Sequence, residues 1–125
     1  MYDKKLAVII LFQIETALQR IARRSKGYEI AEEFTNSEEG LDALDSICML
    51  FIAIGEALKN IDKITEGELF IHYPQVDWRG FMGFRDIIAH QYFDIDAEQV
   101  LWVCKNELAS LQVAIQRVID DLQKE

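Results

Sequence analysis

The stretch from Leu44 to Ile61 constrains the fold more than any other part of the chain. Leu44, Ile47, Phe51, Ile54, Leu58 and Ile61 alternate steps of three and four, the seam spacing of long antiparallel helix packing. Inside that seam, Ile47-Cys48-Met49-Leu50-Phe51-Ile52-Ala53-Ile54 is apolar around the whole helical circumference. A second face of this helix therefore needs cover, from another helix or from a second subunit. Gly55 lowers helix propensity, but it also lets another backbone approach closely. A chain built on such a segment is helical.

The flanking sequence supplies further helices. From Lys4 to Arg24, Ala7, Leu11, Ile14, Leu18 and Ile21 place one apolar face inward, Val8 and Phe12 widen it, and Gly27 stops the helix. Arg23, Arg24 and Lys26 complement the negative end of its dipole. After a polar connection from Tyr28 to Asn36, Thr35 and Glu38 have the spacing of a capping box, which predicts the start of the second helix. No helical period survives from Asp62 to Asp77, where Gly67 and Pro74 predict a loop with one short helical turn at most. Asp77 then caps a third helix that carries Phe81, Phe84, Ile87 and Ile88 inward and frays near His90 or Gln91. Asp94 and Asp96 cap a last helix, whose stripe of Val100, Cys104, Leu108, Leu111, Ile115, Val118 and Leu122 runs to the C-terminus. Four principal helices with short connections predict an all-α, up-and-down four-helix bundle.

With 125 residues, half of them hydrophobic, the chain is the size of one domain over 1–125 and can bury a core without staples. The two cysteines, Cys48 and Cys104, lie within apolar helical patterns and read as inert buried thiols of a reducing cytoplasm. The apolar run Leu6 to Phe12 is too short for a signal peptide and lacks a cleavage site. No run approaches the roughly 20 apolar residues needed to cross a bilayer, so no membrane role is expected. Thirteen basic against 22 acidic residues give a formal charge of −9, which opposes nonspecific binding to nucleic acid. Any contact with RNA must be local. Basic residues cluster at Arg20, Arg23, Arg24 and Lys26, which read as a solvated helix end, and again at Arg79 and Arg85.

The chemistry-bearing residues crowd into Trp78–Asp96. Arg85, His90 and Tyr92 follow the order Arg-x4-His-x-Tyr, with Asp86 directly after the arginine. Asp86 and His90, four apart on a helix, are neighbours, so Asp86 is placed to orient the imidazole for proton transfer. Taken singly, these residues also fit a structural role, with His and Arg offsetting a helix dipole and Tyr anchoring packing. His72 reads as a solvated loop residue and Glu56 as a capped or paired carboxylate. No cluster with metal-ligand spacing is present, and no cofactor is expected.

The Arg-to-Tyr order, followed by Phe93-Asp94-Ile95-Asp96 and preceded by Pro74, Trp78 and the segment Ile54-Gly55-Glu56-Ala57, resembles the signature of the HepT-like branch of the HEPN superfamily. These are small helical toxins paired with a minimal nucleotidyltransferase antitoxin. The chain departs from the family at Asp86, where Asn is common, and at Gln91, where Gly is common. The resemblance implies a HEPN-type bundle and a metal-independent endoribonuclease site at a homodimer interface. His90 and Arg85 would be catalytic there, with RNA as substrate. It also implies that the antitoxin transfers AMP to Tyr92. A non-catalytic nucleotide-binding module, or a structural partner of the nucleotidyltransferase, stays open beside it.

Overall fold

The computed structural model describes residues 2–91 and 93–124. Among these, six α-helices form without any strand: α1 (Lys4–Ser25), α2 (Glu32–Thr35), α3 (Glu38–Ile64), α4 (Trp78–His90), α5 (Ala97–Asn106) and α6 (Leu108–Lys124). A 3-10 turn, Phe70–His72, sits in the segment read as a loop. The expected all-α bundle is what folds. Its four legs are α1, α3, α4 and the α5–α6 pair, with α1 packed between α3 and α6 and α4 laid on α3.

The core is the sum of the apolar stripes read from the sequence. Leu11, Ile14, Leu18 and Ile21 of α1 meet Ile47, Ile54, Leu58 and Ile61 of α3 and Leu111, Ile115 and Ile119 of α6, all fully buried. Each such side chain contributes about 1.5–3 kcal/mol when removed from water, an upper range because unfolded chains are already partly collapsed. Cys48 and Cys104 are buried free thiols. Burial pushes the Cys48 thiol up to about 12 and the Cys104 thiol up to about 11, so neither is a ready nucleophile.

The second face of α3 is covered by α4. Phe51 and Phe84 meet edge to face at 5.2 Å, and a Cβ on Gly55 would collide with Cβ of Arg85. The close approach expected at Gly55 is therefore made by the helix that carries the motif. Met49 remains 66% exposed, so the apolar circumference of α3 is not wholly covered.

Several local expectations need correction. The helix cap before α3 is Ser37, whose Oγ accepts from Gly40 N at 2.9 Å, rather than Thr35. Thr35 ends α2, a single turn within the polar connection that buries Phe34 against Tyr28, ring centroids 4.4 Å apart. The last helix is broken at Glu107, whose N–H donates to Val103 O at 2.9 Å and separates α5 from α6. Ile87 and Phe12, both expected inward, are exposed, because each lies at the edge of its helix's apolar arc. No helix of the described residues is long and apolar enough to cross a membrane.

Candidate active site

α4 is anchored at its start and presented at its end. Asp77 Oδ1 accepts from Gly80 N at 2.9 Å and fixes the first turn. Trp78 stacks on Phe70 at 4.1 Å and donates Nε1–H to Tyr73 O at 2.8 Å, while Tyr73 Oη reaches Asp121 on α6 at 2.6 Å. The segment before α4 is thus tied to the bundle through an aromatic stack and two buried or half-buried hydrogen bonds. The helix ends at His90, where the sequence placed the fray, and Gln91 N donates to Ile87 O at 3.0 Å.

Arg85 sits where α4 crosses Gly55 and turns its guanidinium back along α3. Its Nε lies 2.7 Å from Glu56 Oε1, an ion pair whose N–H is not aligned as a hydrogen bond, and its Nη1 donates to Asp86 Oδ1 at 3.2 Å. Glu56 is the paired carboxylate expected from the sequence. Lys59, one turn after Glu56, donates to the same Asp86 Oδ1 at 2.8 Å. Two cations therefore converge on one carboxylate oxygen. The Lys59 hydrogen bond, helped by Arg85, holds the Asp86 carboxyl below its ordinary value.

His90 meets Asp86 as their spacing predicts, and the acceptor is the main chain. Its Nδ1 lies 2.7 Å from the main-chain carbonyl of Asp86, not from the carboxylate, which the two cations occupy. A carbonyl only accepts, so Nδ1 must carry the proton and Nε2 is the free nitrogen of the neutral ring. The tether is achieved by backbone at the i−4 position, the same spacing that pointed to Asp86. His90 is exposed at the helix end.

Within one chain Arg85 and His90 diverge. Five residues along a helix separate them by about 7.5 Å of rise and about 140° of rotation. Asp86 is the hub that links them, through its carboxylate on one side and its carbonyl on the other. Tyr92, the expected AMP acceptor, lies outside the described residues. His72 is exposed, as a solvated residue would be. Lys59 is the member of this cluster that sequence reasoning missed. Its signal was present: a lysine three residues after Glu56, on the helix whose Gly55 marks the crossing.

Fold and site together define an all-helical protein that presents an imidazole at a helix end beside clustered cations. The chain belongs to the HepT-like ribonuclease family: it matches the family described as Ribonuclease HepT-like over residues 14–118. It is also similar to three proteins of Methanocaldococcus jannaschii. With "Putative RNase MJ0127" it shares 37% identity over 72 residues, which is 58% of this chain and 56% of that protein. With "Putative RNase MJ0125" it shares 32% over 71 residues, 57% of this chain and 58% of that protein. The match to "Putative RNase MJ1216" is longer, 28% over 113 residues, 90% of this chain and 87% of that protein. No solved structure matches the chain.

Proposed function

We propose that this chain is a metal-independent endoribonuclease, the toxin of a HEPN/nucleotidyltransferase toxin–antitoxin pair acting in the cytoplasm. The observation that carries the reading is the main-chain tether on His90, which leaves Nε2 free at an exposed helix end one turn from the Arg85–Asp86–Lys59 cluster. Membership of a ribonuclease family supports the same chemistry.

In this reading Nε2 of one His90 takes the proton of a ribose 2′-hydroxyl. The 2′-oxygen attacks the adjacent phosphorus, the bond to the 5′-oxygen breaks, and a protonated His90 of a second copy delivers a proton to that leaving oxygen. The products are a 2′,3′-cyclic phosphate and a 5′-hydroxyl. Arg85 stabilises the added negative charge on phosphorus, a contribution of about 10²–10³ in rate for a well-placed donor. Two copies are required because Arg85 and His90 of one helix face apart, and the exposed apolar residues Met49 on α3 and Leu6, Ile9 and Phe12 on α1 give a homodimer surface to bury. For control, the phenol oxygen of Tyr92 attacks the α-phosphorus of ATP in the antitoxin and pyrophosphate leaves. The AMP then fills the cleft, and its phosphate competes for Arg85.

The test is cleavage of single-stranded RNA by the purified chain, with sedimentation to establish its mass in solution. His90→Ala should lower the rate about 10²–10⁴-fold while leaving the melting temperature nearly unchanged. Arg85→Lys should rescue poorly, since a point charge does not reproduce the planar fork. Saturable nucleotide binding with no cleavage would instead make the chain a non-catalytic nucleotide-binding module.

A further inference from the structure

Positive charge is scarce on this molecule, 13 basic against 22 acidic residues, so where it stays uncommitted decides where a polyanion can lie. At the site itself the charges cancel. Glu56 and Asp86 are matched by Arg85 and Lys59, and the four groups sum to zero. One turn beyond Lys59 on α3 stands Lys63, exposed and in no ion pair among the described residues.

Glu56, Lys59, Asn60 and Lys63 recur at helical spacing and form one solvent-facing arc of α3. The arc borders a shallow groove of about 490 Å³ between α3 and α1. Ile10 and Ala57 give the groove apolar surface, and Gln13 and Asn60 give it amide donors and acceptors. Lys59 belongs to both neighbourhoods: its ammonium touches Asp86 at 2.8 Å, and its side chain lines the groove.

We infer that α3 carries a track for one RNA strand, in which Lys59 is a second cation at the scissile phosphate and Lys63 binds the neighbouring phosphate of the same strand. This rests on the ribonuclease reading above and adds the substrate form and two binding residues to it. Lys59 qualifies because an ammonium has three protons and Asp86 Oδ1 takes one, leaving two to aim at a phosphate oxygen. Lys63 lies about 6 Å further along the helix axis, within reach of the next phosphate. The groove beside them takes a base or ribose against Ile10 and Ala57. A single row of two lysines follows one backbone, whereas recognition of an RNA duplex needs contacts spread over its minor groove and two strands. The substrate is therefore single-stranded.

The measurement is fluorescence anisotropy of a short, labelled, 2′-O-methyl RNA strand, which cannot be cleaved through a blocked 2′-oxygen, titrated with the full chain over a series of salt concentrations. Lys63→Gln and Lys59→Gln should each weaken binding about three- to tenfold at low salt and reduce the slope of log K against log salt by about 0.7. Lys59→Arg should restore the slope. Lys105→Gln removes the same charge from a lysine of α5 that is paired with Glu29, and should change neither quantity. Wild-type affinity and slope in Lys63→Gln would overturn the inference, as would an equal loss in Lys105→Gln, tighter binding of the matching duplex, or no binding by the wild-type chain. Cleavage of the 2′-hydroxyl strand, assayed in parallel, separates the two readings. An active enzyme indifferent to both lysines keeps its function and loses the track, while lysine-dependent binding without cleavage keeps the track and loses the reaction.

Discussion

The two segments that flank α4 are built on opposite plans. The segment before it, 65–77, folds back on the bundle: Phe70 stacks under Trp78, Tyr73 O accepts the indole N–H, and Tyr73 Oη is held by Asp121. After it, residues 91, 93 and 94 make a turn in which Asp94 N donates to Gln91 O at 2.9 Å, and Phe93 stands 94% exposed. One end of the helix is anchored in the bundle and the other presents His90 to solvent. The two go together, because a side chain aimed at solvent keeps its aim only if its backbone is fixed elsewhere.

The largest effect that could break this contrast is at Trp78. Trp78→Ala removes a buried ring, its stack and its hydrogen bond, and should cost about 3–5 kcal/mol in chemical denaturation. Loss of less than about 1 kcal/mol would mean that the first segment is no anchor.

A smaller effect concerns Asp86, and it has a pH signature. Its carboxyl is held below the ordinary 3.8 chiefly by the Lys59 hydrogen bond, so the stability it contributes is complete above about pH 4. That contribution fades as the pH falls from there through the depressed value, where the folded carboxylate is protonated too. The stability difference between the wild-type chain and Asp86→Asn should therefore be constant from neutral pH down to about 4 and shrink below it. A difference that grows on acidification would reverse the sign assigned to the Lys59 contact.

The smallest effect is at Phe93. Phe93→Ser should change unfolding free energy by no more than about 0.5 kcal/mol, because so little of the ring is buried. A greater loss would place the second segment among the stabilising parts and dissolve the comparison.

Most of this architecture was legible because apolar periodicity is a long-range signal that many residues share. The stripes of α1, α3 and α6 were read correctly, as was the close crossing at Gly55. Short-range events were not. The break at Glu107 carries neither Gly nor Pro, and the apolar stripe continues in phase from Cys104 to Leu108 and Leu111. α2 is a single turn held by one buried ring, too brief for any period to register. At the candidate site, spacing made Asp86 and His90 neighbours but did not say which atom of Asp86 meets the imidazole, since i,i+4 brings carbonyl and side chain alike into range. Lys59 escaped because a lone lysine on a solvated arc looks ordinary until the crossing helix sets a carboxylate beside it.

Asp86 divides its labour between its two chemical halves, and this bears on how freely the site can vary. The imidazole is held by the main chain, which every amino acid possesses, whereas the cations are held by a side chain, which only a few can replace. Position 86 can therefore be resampled by mutation without scrambling the histidine tautomer, provided the helix persists. What shifts with each exchange is the charge set against Lys59 and Arg85. The tether on the imidazole is insulated from sequence change, and the charge beside it is left open to tuning.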